Sequence, residues 1–252
     1  METGGRVILI PSFNSGRMLA ATVASALGHW PHVRVVVDGS TDGSPDALAQ
    51  FRNPGLRVER LPVNAGKGAA VVHGARAALA DGFTHGLVLD ADGQHPCDRI
   101  PDFLKLSILH PNAMILGVPE FGADAPPERV YGRLAGNFFT SLETLWGGIG
   151  DSLFGFRLYP LEPLVRILGG RTDGRGFDFE TVAAVRLFWE GVRPINVRVP
   201  VRYPPRHSGG VSHFHYARDN ALLARVHAGL CFDLLPRLLR VWHLSRHWRA
   251  RS

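Results

Sequence analysis

Two aspartates separated by one residue, Asp90 and Asp92, directly follow a short apolar run at 87–89. Side chains at positions i and i+2 of an extended segment point the same way, so the two carboxylates should face one side. Gln94 adds an amide oxygen two residues later. Such oxygen ligands suit Mg²⁺ or Mn²⁺, which usually keep positions open for phosphate oxygens. The motif predicts a cation site that meets a diphosphate, although Asp-x-Asp-Gly alone is also typical of a solvated turn.

Two further polar segments carry side chains that could take part in the same chemistry. Asp38 follows another apolar run and could accept a hydrogen bond from a nucleobase or ribose, or could cap a helix; both roles stay open. The segment 64–68 places glycines and Lys67 before a helical pattern, where backbone N–H groups and a lysine could meet phosphate. The segment is not a P-loop, because Leu61 stands where the first glycine of that motif would fall.

Alternating strand-like and helix-like segments must position these residues. Short β-branched runs lie at 7–10, 33–37, 56–61, 87–89 and 113–117, and helical patterns lie at 17–27, 46–51, 67–80 and 100–109. This alternation predicts an α/β fold with a mostly parallel sheet covered on both faces. Ligands of such sheets bind at the carboxyl ends of the strands, so the segments 11–14, 38–43 and 90–95 should share one rim.

The second half of the chain is less regular. A proline-rich loop is expected at 119–127 and a turn-rich loop at 204–210, with helices at 129–146 and 179–189 and strands at 153–159 and 195–203. No internal repeat or low-complexity tract interrupts it. We therefore expect a single core.

Composition describes an ordinary globular protein. The 252 residues are 45% apolar and 20% charged, which excludes a disordered, collagen-like or disulfide-scaffold protein. Cys97 and Cys231 form no zinc or dithiol motif, which fits a reducing compartment. No uncharged apolar stretch is long enough to span a bilayer, so a cytoplasmic location is expected.

The positive charge is concentrated in the tail. The net charge is +6, and residues 217–252, with seven arginines and two aspartates, account for +5 of it. Apolar residues recur there at helical spacing between 216 and 248, and Pro236 should kink or break the helix. A basic amphipathic helix can lie on an anionic membrane surface, or it can pack on its own domain or on a second subunit. We expect a catalytic domain at 1–213 and a basic amphipathic extension at 214–252.

Five motifs in order resemble the family-2 glycosyltransferases, and the nearest branch is similar to the polyprenyl-phosphate (dolichol-phosphate) mannosyl- and glucosyltransferases. The motifs are Ile-Pro-Ser-Phe-Asn at 10–14, Val-Val-Asp-Gly-Ser-Thr-Asp-Gly-Ser at 36–44, Asn-Ala-Gly-Lys-Gly at 64–68, Leu-Asp-Ala-Asp-Gly-Gln-His at 89–95 and Asp-Ser-Leu-Phe-Gly-Phe-Arg-Leu-Tyr at 151–159. The resemblance implies a GT-A fold, a UDP- or GDP-sugar donor, Mg²⁺ or Mn²⁺, and inversion at the anomeric carbon.

The resemblance also assigns donor-side residues. Those expected to border or approach the nucleoside are Pro11, Asn14, Asp38 and Lys67, and those expected to hold the metal on the donor diphosphate are Asp90, Asp92 and Gln94. Val37 departs from the family pattern, which commonly has two consecutive acids at this point.

The acceptor side is expected to hold a base and several cations. If the acceptor is a hydroxyl, Asp151 is the first candidate base, with Asp178 or Glu180 next; a phosphate acceptor needs no base. The cations expected near the acceptor or the diphosphate are Arg129, Arg133 and Arg157, and Arg206 and His213 lie in a loop that resembles the family's phosphate-closing loop.

The acceptor itself is expected to be a lipid or lipid phosphate. The basic tail stands where relatives carry transmembrane helices, so the resemblance implies a peripheral enzyme on the cytoplasmic membrane face. Two alternatives keep the fold and change the function: a sugar-phosphate nucleotidyltransferase, and a catalytically inactive glycosyltransferase-like binding protein. The nucleotidyltransferase signature near the first strand is missing, and the intact Asp90 and Asp92 argue against lost turnover. Nucleic acid is not an expected partner, because no recognised binding motif accompanies the arginines.

Overall fold

One mixed sheet forms the centre of the protein. The computed structural model describes residues 4–121, 127–201 and 216–250, and within them seven strands lie in the order β3-β2-β1-β4-β6-β5-β7. The strands are β1 (Arg6–Ser12), β2 (Val33–Asp38), β3 (Leu56–Leu61), β4 (His85–Val88), β5 (Ala113–Glu120), β6 (Arg157–Pro160) and β7 (Arg193–Pro200). Strand β6 is antiparallel to β4 and β5, and the other pairs are parallel.

Helices cover both faces of this sheet. They are α1 (Met18–His29), α2 (Lys67–Ala80), α3 (Ile100–Leu109), α4 (Pro127–Glu143), α5 (Leu161–Leu168), α6 (Phe179–Trp189), α7 (Tyr216–Leu234) and α8 (Leu238–Arg249). Short 3₁₀ turns span Ser44–Gln50, Cys97–Arg99 and Leu235–Arg237. The α/β fold expected from the alternating pattern is confirmed.

Alternation along the strands divides the core into two layers. In β1, Val7 and Leu9 pack with α2, α5 and α6, whereas Ile8 and Ile10 pack with α1 and α3 on the opposite face. Successive side chains of a strand point to opposite faces, so a strand that is apolar throughout must be covered on both sides. The helical patterns at 67–80 and 100–109 form helices with those bounds, whereas the pattern at 46–51 forms a 3₁₀ turn.

The carboxyl ends of β1, β2 and β4 meet at one edge of the sheet, because these three strands are neighbours and parallel. The loops after β1 and β2 are also tied to each other by Asn14. Its backbone N–H donates to Ser40 Oγ at 3.0 Å, and its Oδ1 accepts the N–H of Thr41 at 2.8 Å. The predicted shared rim is therefore confirmed.

Helices α7 and α8 pack on the body of the protein. Leu230 and Val241 are buried in the core layer that contains α6, and Arg186 of α6 pairs with Asp233 of α7 at 2.9 Å. The predicted break at Pro236 is confirmed, since the 3₁₀ turn there separates the two helices. The described part of the tail thus shares the core, and the boundary at 213/214 stays a prediction, because it lies outside the described residues.

Within the described part of the chain, none of the helices combines the length and apolar character that crossing a bilayer requires.

The packing of α7 and α8 predicts very different effects for two leucine truncations. Leu230→Ala removes a fully buried side chain and should lower the free energy of unfolding by about 2–5 kcal/mol. Leu239→Ala, at a position that is 79% exposed, should change it by no more than about 0.5 kcal/mol. Urea denaturation measures both values, and equal effects would contradict the packing of α7 described here.

Candidate active site

The loop after β4 folds around the backbone and side chain of Asp90. The Oδ1 atom of Asp92 accepts the N–H of Gln94 at 3.0 Å, which closes a turn. His95 is buried, its Nδ1 accepts the N–H of Asp90 at 3.1 Å, and its Nε2 lies 3.7 Å from Asp90 Oδ2. The predicted metal ligands therefore belong to one short loop that is curled at the rim.

The two aspartates of this loop influence each other's charge. Burial and the negative charge of Asp90 raise the pKa of Asp92 above its usual range. Burial would raise the pKa of Asp90 as well, but the Lys67 ammonium outweighs it and lowers that pKa overall. Burial lowers the pKa of His95, despite the two nearby carboxylates. Two carboxylates that repel each other are an arrangement that a cation would stabilise.

The donor set fits a hard divalent cation whose coordination is completed from outside the protein. Across the described residues, no group of three or more His, Cys, Asp or Glu side chains is arranged to hold a metal. Asp90 and Asp92 would thus supply two carboxylates, with Gln94 as the predicted amide ligand. Mg²⁺ and Mn²⁺ are commonly bound by one or two carboxylates together with substrate phosphates.

Lys67 lies between two carboxylates. Its Nζ is 2.6 Å from Asp90 Oδ1 and 2.5 Å from Glu180 Oε1. Burial would lower the pKa of Lys67, but the two carboxylates raise it overall, so the ammonium stays charged. Glu180, a candidate base from the sequence, is thus engaged in a buried ion pair.

Asp38 caps the turn that leads into α2. Its two carboxylate oxygens accept the N–H groups of Ala65 and Gly66, each at 2.8 Å. Gly66 has φ of 98°, a conformation that glycine adopts without strain. The sequence left open a helix cap or a contact with the nucleoside; the contact observed is with the turn before α2, whose N-cap residue Gly66 receives no side-chain cap. This cap fixes the backbone from which Lys67 extends.

A second turn holds the start of α2 from the other side. The carbonyl oxygen of Arg175 accepts the N–H groups of Gly68 and Ala69, at 2.8 and 3.2 Å. The carboxylate of Asp178 in turn accepts two glycine N–H groups of the turn 174–176, at 2.7 and 3.0 Å. Asp178 was expected as an alternative base, and the structure shows that its carboxylate holds a loop.

Arg157, which was expected near the acceptor or the diphosphate, donates to backbone carbonyl groups in the structure. Its side chain is fully buried, and its guanidinium donates to the backbone carbonyls of Glu180 and Asp151, each at 2.6 Å. A buried guanidinium needs hydrogen-bond acceptors, and here two backbone oxygens supply them. Arg157 therefore ties the loop that contains Asp151 to the first turn of α6.

Asp151, the first candidate base, is paired with Arg133. Its Oδ1 accepts the Arg133 guanidinium at 2.7 Å and the N–H groups of Leu153 and Phe154 at 2.9 and 2.6 Å. The aspartate is buried, and Arg133 is half-buried. The structure thus brings together the two acceptor-side residues that the sequence proposed separately.

Of the remaining predicted site residues, one lies in the described sheet and three have side chains outside the described residues. Pro11 is buried within β1, in register with Val36 of β2. Arg129 belongs to α4, but its side chain lies outside the described residues, as do Arg206 and His213.

Sequence reasoning missed Gly155 as a site residue. A Cβ atom built there would lie 2.6 Å from Asp90 Oδ2 and 2.9 Å from Lys67 Nζ. It also left out His95, which supports Asp90. Both residues lie inside motifs that carry the family resemblance. Their positions in those motifs were the sequence signal that could have identified them as site residues.

Gly155→Ala should weaken Mn²⁺ binding by about tenfold or more, because the new methyl group must displace Asp90 or Lys67. Gly170→Ala is the matched control, since a Cβ there meets no atom within 4 Å. Electron paramagnetic resonance of free Mn²⁺ measures both affinities. Equal Mn²⁺ affinity in the two variants would show that the close approach at Gly155 is not required.

Comparison with known proteins gives the family. The family described as "Glycosyl transferase family 2" matches residues 7–168. The chain is 29% identical over 217 residues to polyprenol monophosphomannose synthase of Mycolicibacterium smegmatis, covering 81% of this chain and 78% of that protein. It is 25% identical over 217 residues to undecaprenyl-phosphate mannosyltransferase of Micrococcus luteus, covering 80% and 84%.

Solved structures share the fold. Glucosyl-3-phosphoglycerate synthase of Mycobacterium tuberculosis aligns with 92% of this chain and 80% of its own, with a TM-score of 0.65 and 17% identity. Another structure of that enzyme contains Mn²⁺, UDP-glucose and glycerol 3-phosphate, with a TM-score of 0.63 and 17% identity over 92% of this chain and 79% of that one. The chain therefore belongs to glycosyltransferase family 2, with a GT-A fold, and is related to the polyprenyl-phosphate sugar transferases.

Proposed function

We propose that this enzyme transfers a sugar, with inversion, from a UDP- or GDP-sugar to a lipid-linked phosphate acceptor, and that it depends on Mg²⁺ or Mn²⁺. The observation that carries the proposal is the pair Asp90 and Asp92 at the carboxyl end of β4, next to the Lys67 ammonium. A cation bound there would supply Lewis-acid stabilisation of the charge that develops on the departing diphosphate. A structural neighbour that binds Mn²⁺ with UDP-glucose supports the same donor class.

A phosphate acceptor agrees with the state of Asp151. A hydroxyl acceptor would need a base, but one oxygen of this carboxylate already accepts three hydrogen bonds. Those bonds suit a residue that shapes the acceptor-side loop and holds Arg133. A phosphate is already ionised and needs no base. Two relatives are named polyprenol monophosphomannose synthase and undecaprenyl-phosphate mannosyltransferase. These names support a polyprenyl phosphate as the acceptor.

We also propose that the enzyme attaches to an anionic membrane on its cytoplasmic side; the outer face of α7 and α8 supports the membrane contact. The large apolar side chains exposed across the junction of the two helices are Phe232, Leu235, Leu238, Leu239 and Trp242. Arg225 and Arg246 are exposed on the same helices, and the Arg246 guanidinium lies 4.8 Å from the centre of the Trp242 ring. Exposed apolar side chains flanked by arginines are typical of helices that lie in a membrane interface.

Asp92→Asn should reduce Mn²⁺-dependent sugar transfer or donor hydrolysis at least about a hundredfold, because it removes one of two carboxylate ligands. Asp102→Asn changes an exposed aspartate of α3 and should leave the rate unchanged. Release of UDP or GDP from the corresponding sugar nucleotide measures the rate. Comparison of the two donors identifies the nucleobase that the enzyme accepts. Unchanged turnover in a folded Asp92→Asn protein would refute the metal assignment.

Replacing Phe232 and Leu239 by serine should weaken binding to phosphatidylglycerol vesicles by at least about tenfold, since each exposed side chain should bury apolar area in the interface. Leu109→Ser, at an exposed position of α3, is the matched control. Vesicle co-sedimentation measures the effect. If the wild-type protein fails to sediment at low salt, the membrane proposal is wrong; a change of oligomeric state in the double variant would indicate a second copy instead.

A further inference from the structure

The buried ion pair between Lys67 and Glu180 is not explained by stability. The side chain of Glu180 is 4% exposed and that of Lys67 is 18% exposed. Removing two charges from water is costly, and replacing such a pair by apolar residues is often neutral or stabilising. The pair is kept directly against Asp90, whose Oδ1 lies 2.6 Å from Lys67 Nζ. A costly pair at this position calls for a role in the site.

We propose that Glu180 and Lys67 are positioning residues for Asp90: Glu180 holds the ammonium, and the ammonium holds Oδ1 so that Oδ2 stays available to the cation. This inference rests on the proposed metal-dependent function. It assigns to Glu180 a role other than that of a base, and to Lys67 a role other than contact with the nucleoside.

Each member of this arrangement is held by its own backbone contacts. Lys67 is the first residue of α2, after the turn capped by Asp38. Glu180 stands in the first turn of α6, and its carbonyl oxygen accepts the Arg157 guanidinium. These supports fix the two backbone positions from which the side chains extend. The position of the ammonium is then set by its contacts with the carboxylates of Asp90 and Glu180.

The other side of Asp90 is restricted as well. Its Oδ2 faces Gly155, where a Cβ would come within 2.6 Å, and lies 3.7 Å from His95 Nε2. A carboxylate held at Oδ1, with Gly155 and His95 beside Oδ2, has little rotational freedom. A ligand that is already oriented loses less conformational entropy when a cation binds, so the hold on Oδ1 should increase cation affinity.

The net charge of the site also affects its affinity for a cation. This effect can be separated from the positioning of Asp90. The site contains the carboxylates of Asp90, Asp92 and Glu180 and the ammonium of Lys67. The double variant Lys67→Met with Glu180→Gln removes one charge of each sign, so the net charge of the site is unchanged. It abolishes the hold on Asp90. A loss of cation affinity in this variant, measured at a pH high enough that raising the pH further does not restore binding, therefore reports positioning rather than proton competition at Asp90.

The experiment is a titration with Mn²⁺ alone, without nucleotide, in which electron paramagnetic resonance counts free Mn²⁺. We expect the double variant to bind Mn²⁺ about tenfold to a hundredfold more weakly than the wild-type protein. Glu180→Asp keeps every charge and withdraws the carboxylate by one methylene, and it should weaken binding by a smaller factor. The control is Glu162→Gln with Arg166→Gln, an exposed pair on α5, which should bind Mn²⁺ like the wild-type protein.

Thermal unfolding of each variant accompanies the titration. Wild-type affinity in both the double variant and Glu180→Asp, with the fold intact, would overturn the positioning role and leave the proposed function standing. If the double variant does not fold, Glu180→Asp decides, since wild-type affinity in that variant overturns the inference. If the wild-type protein shows no saturable binding of Mn²⁺ alone, all variants are titrated again with UDP or GDP present, and absence of saturable binding there as well would overturn the metal assignment, and the inference with it.

Discussion

A lysine ammonium placed between two carboxylates organises the candidate active site. The ammonium of Lys67, at the start of α2, pairs with the carboxylates of Asp90 and Glu180. Asp90 follows β4, and Glu180 lies in the first turn of α6. Charges in a poorly hydrated corner are stable only when each has a partner at close range. The remaining contacts of the rim can be understood as the means of bringing these three segments to the same point.

Several charged residues of the rim hold the backbone of neighbouring loops. Asp38 and Asp178 accept backbone N–H groups, and Arg157 donates to backbone carbonyls. Irregular loops carry N–H and C=O groups that regular hydrogen bonding leaves unpaired, and buried side chains satisfy them here. The same residue types are used for catalysis and for loop support. Residue type and motif alone therefore do not separate catalytic candidates from residues that support loops.

Helices α7 and α8 have one buried face and one exposed face. Their inner faces contribute Leu230 and Val241 to the core, while Phe232 and Leu239 remain exposed on the outside. A buried contact between His227 Nδ1 and Glu143 Oε1, at 2.7 Å, joins α7 to α4. Because the inner face already accounts for the fold, the outer face is available for a partner, and the arginines favour an anionic one.

The sequence by itself determined the α/β class, the shared rim, the bounds of α2 and α3 and the aspartate pair after β4. These features depend on local periodicity and on spacing within a few residues, both of which can be read from the chain. Only the tertiary structure decided which acids are free for a ligand. The partner of Lys67 is Glu180, far away in the chain, and the burial of Arg157 depends on how α6 packs. Such contacts arise from the packing of segments that are far apart in the chain, and local sequence patterns contain no information about them.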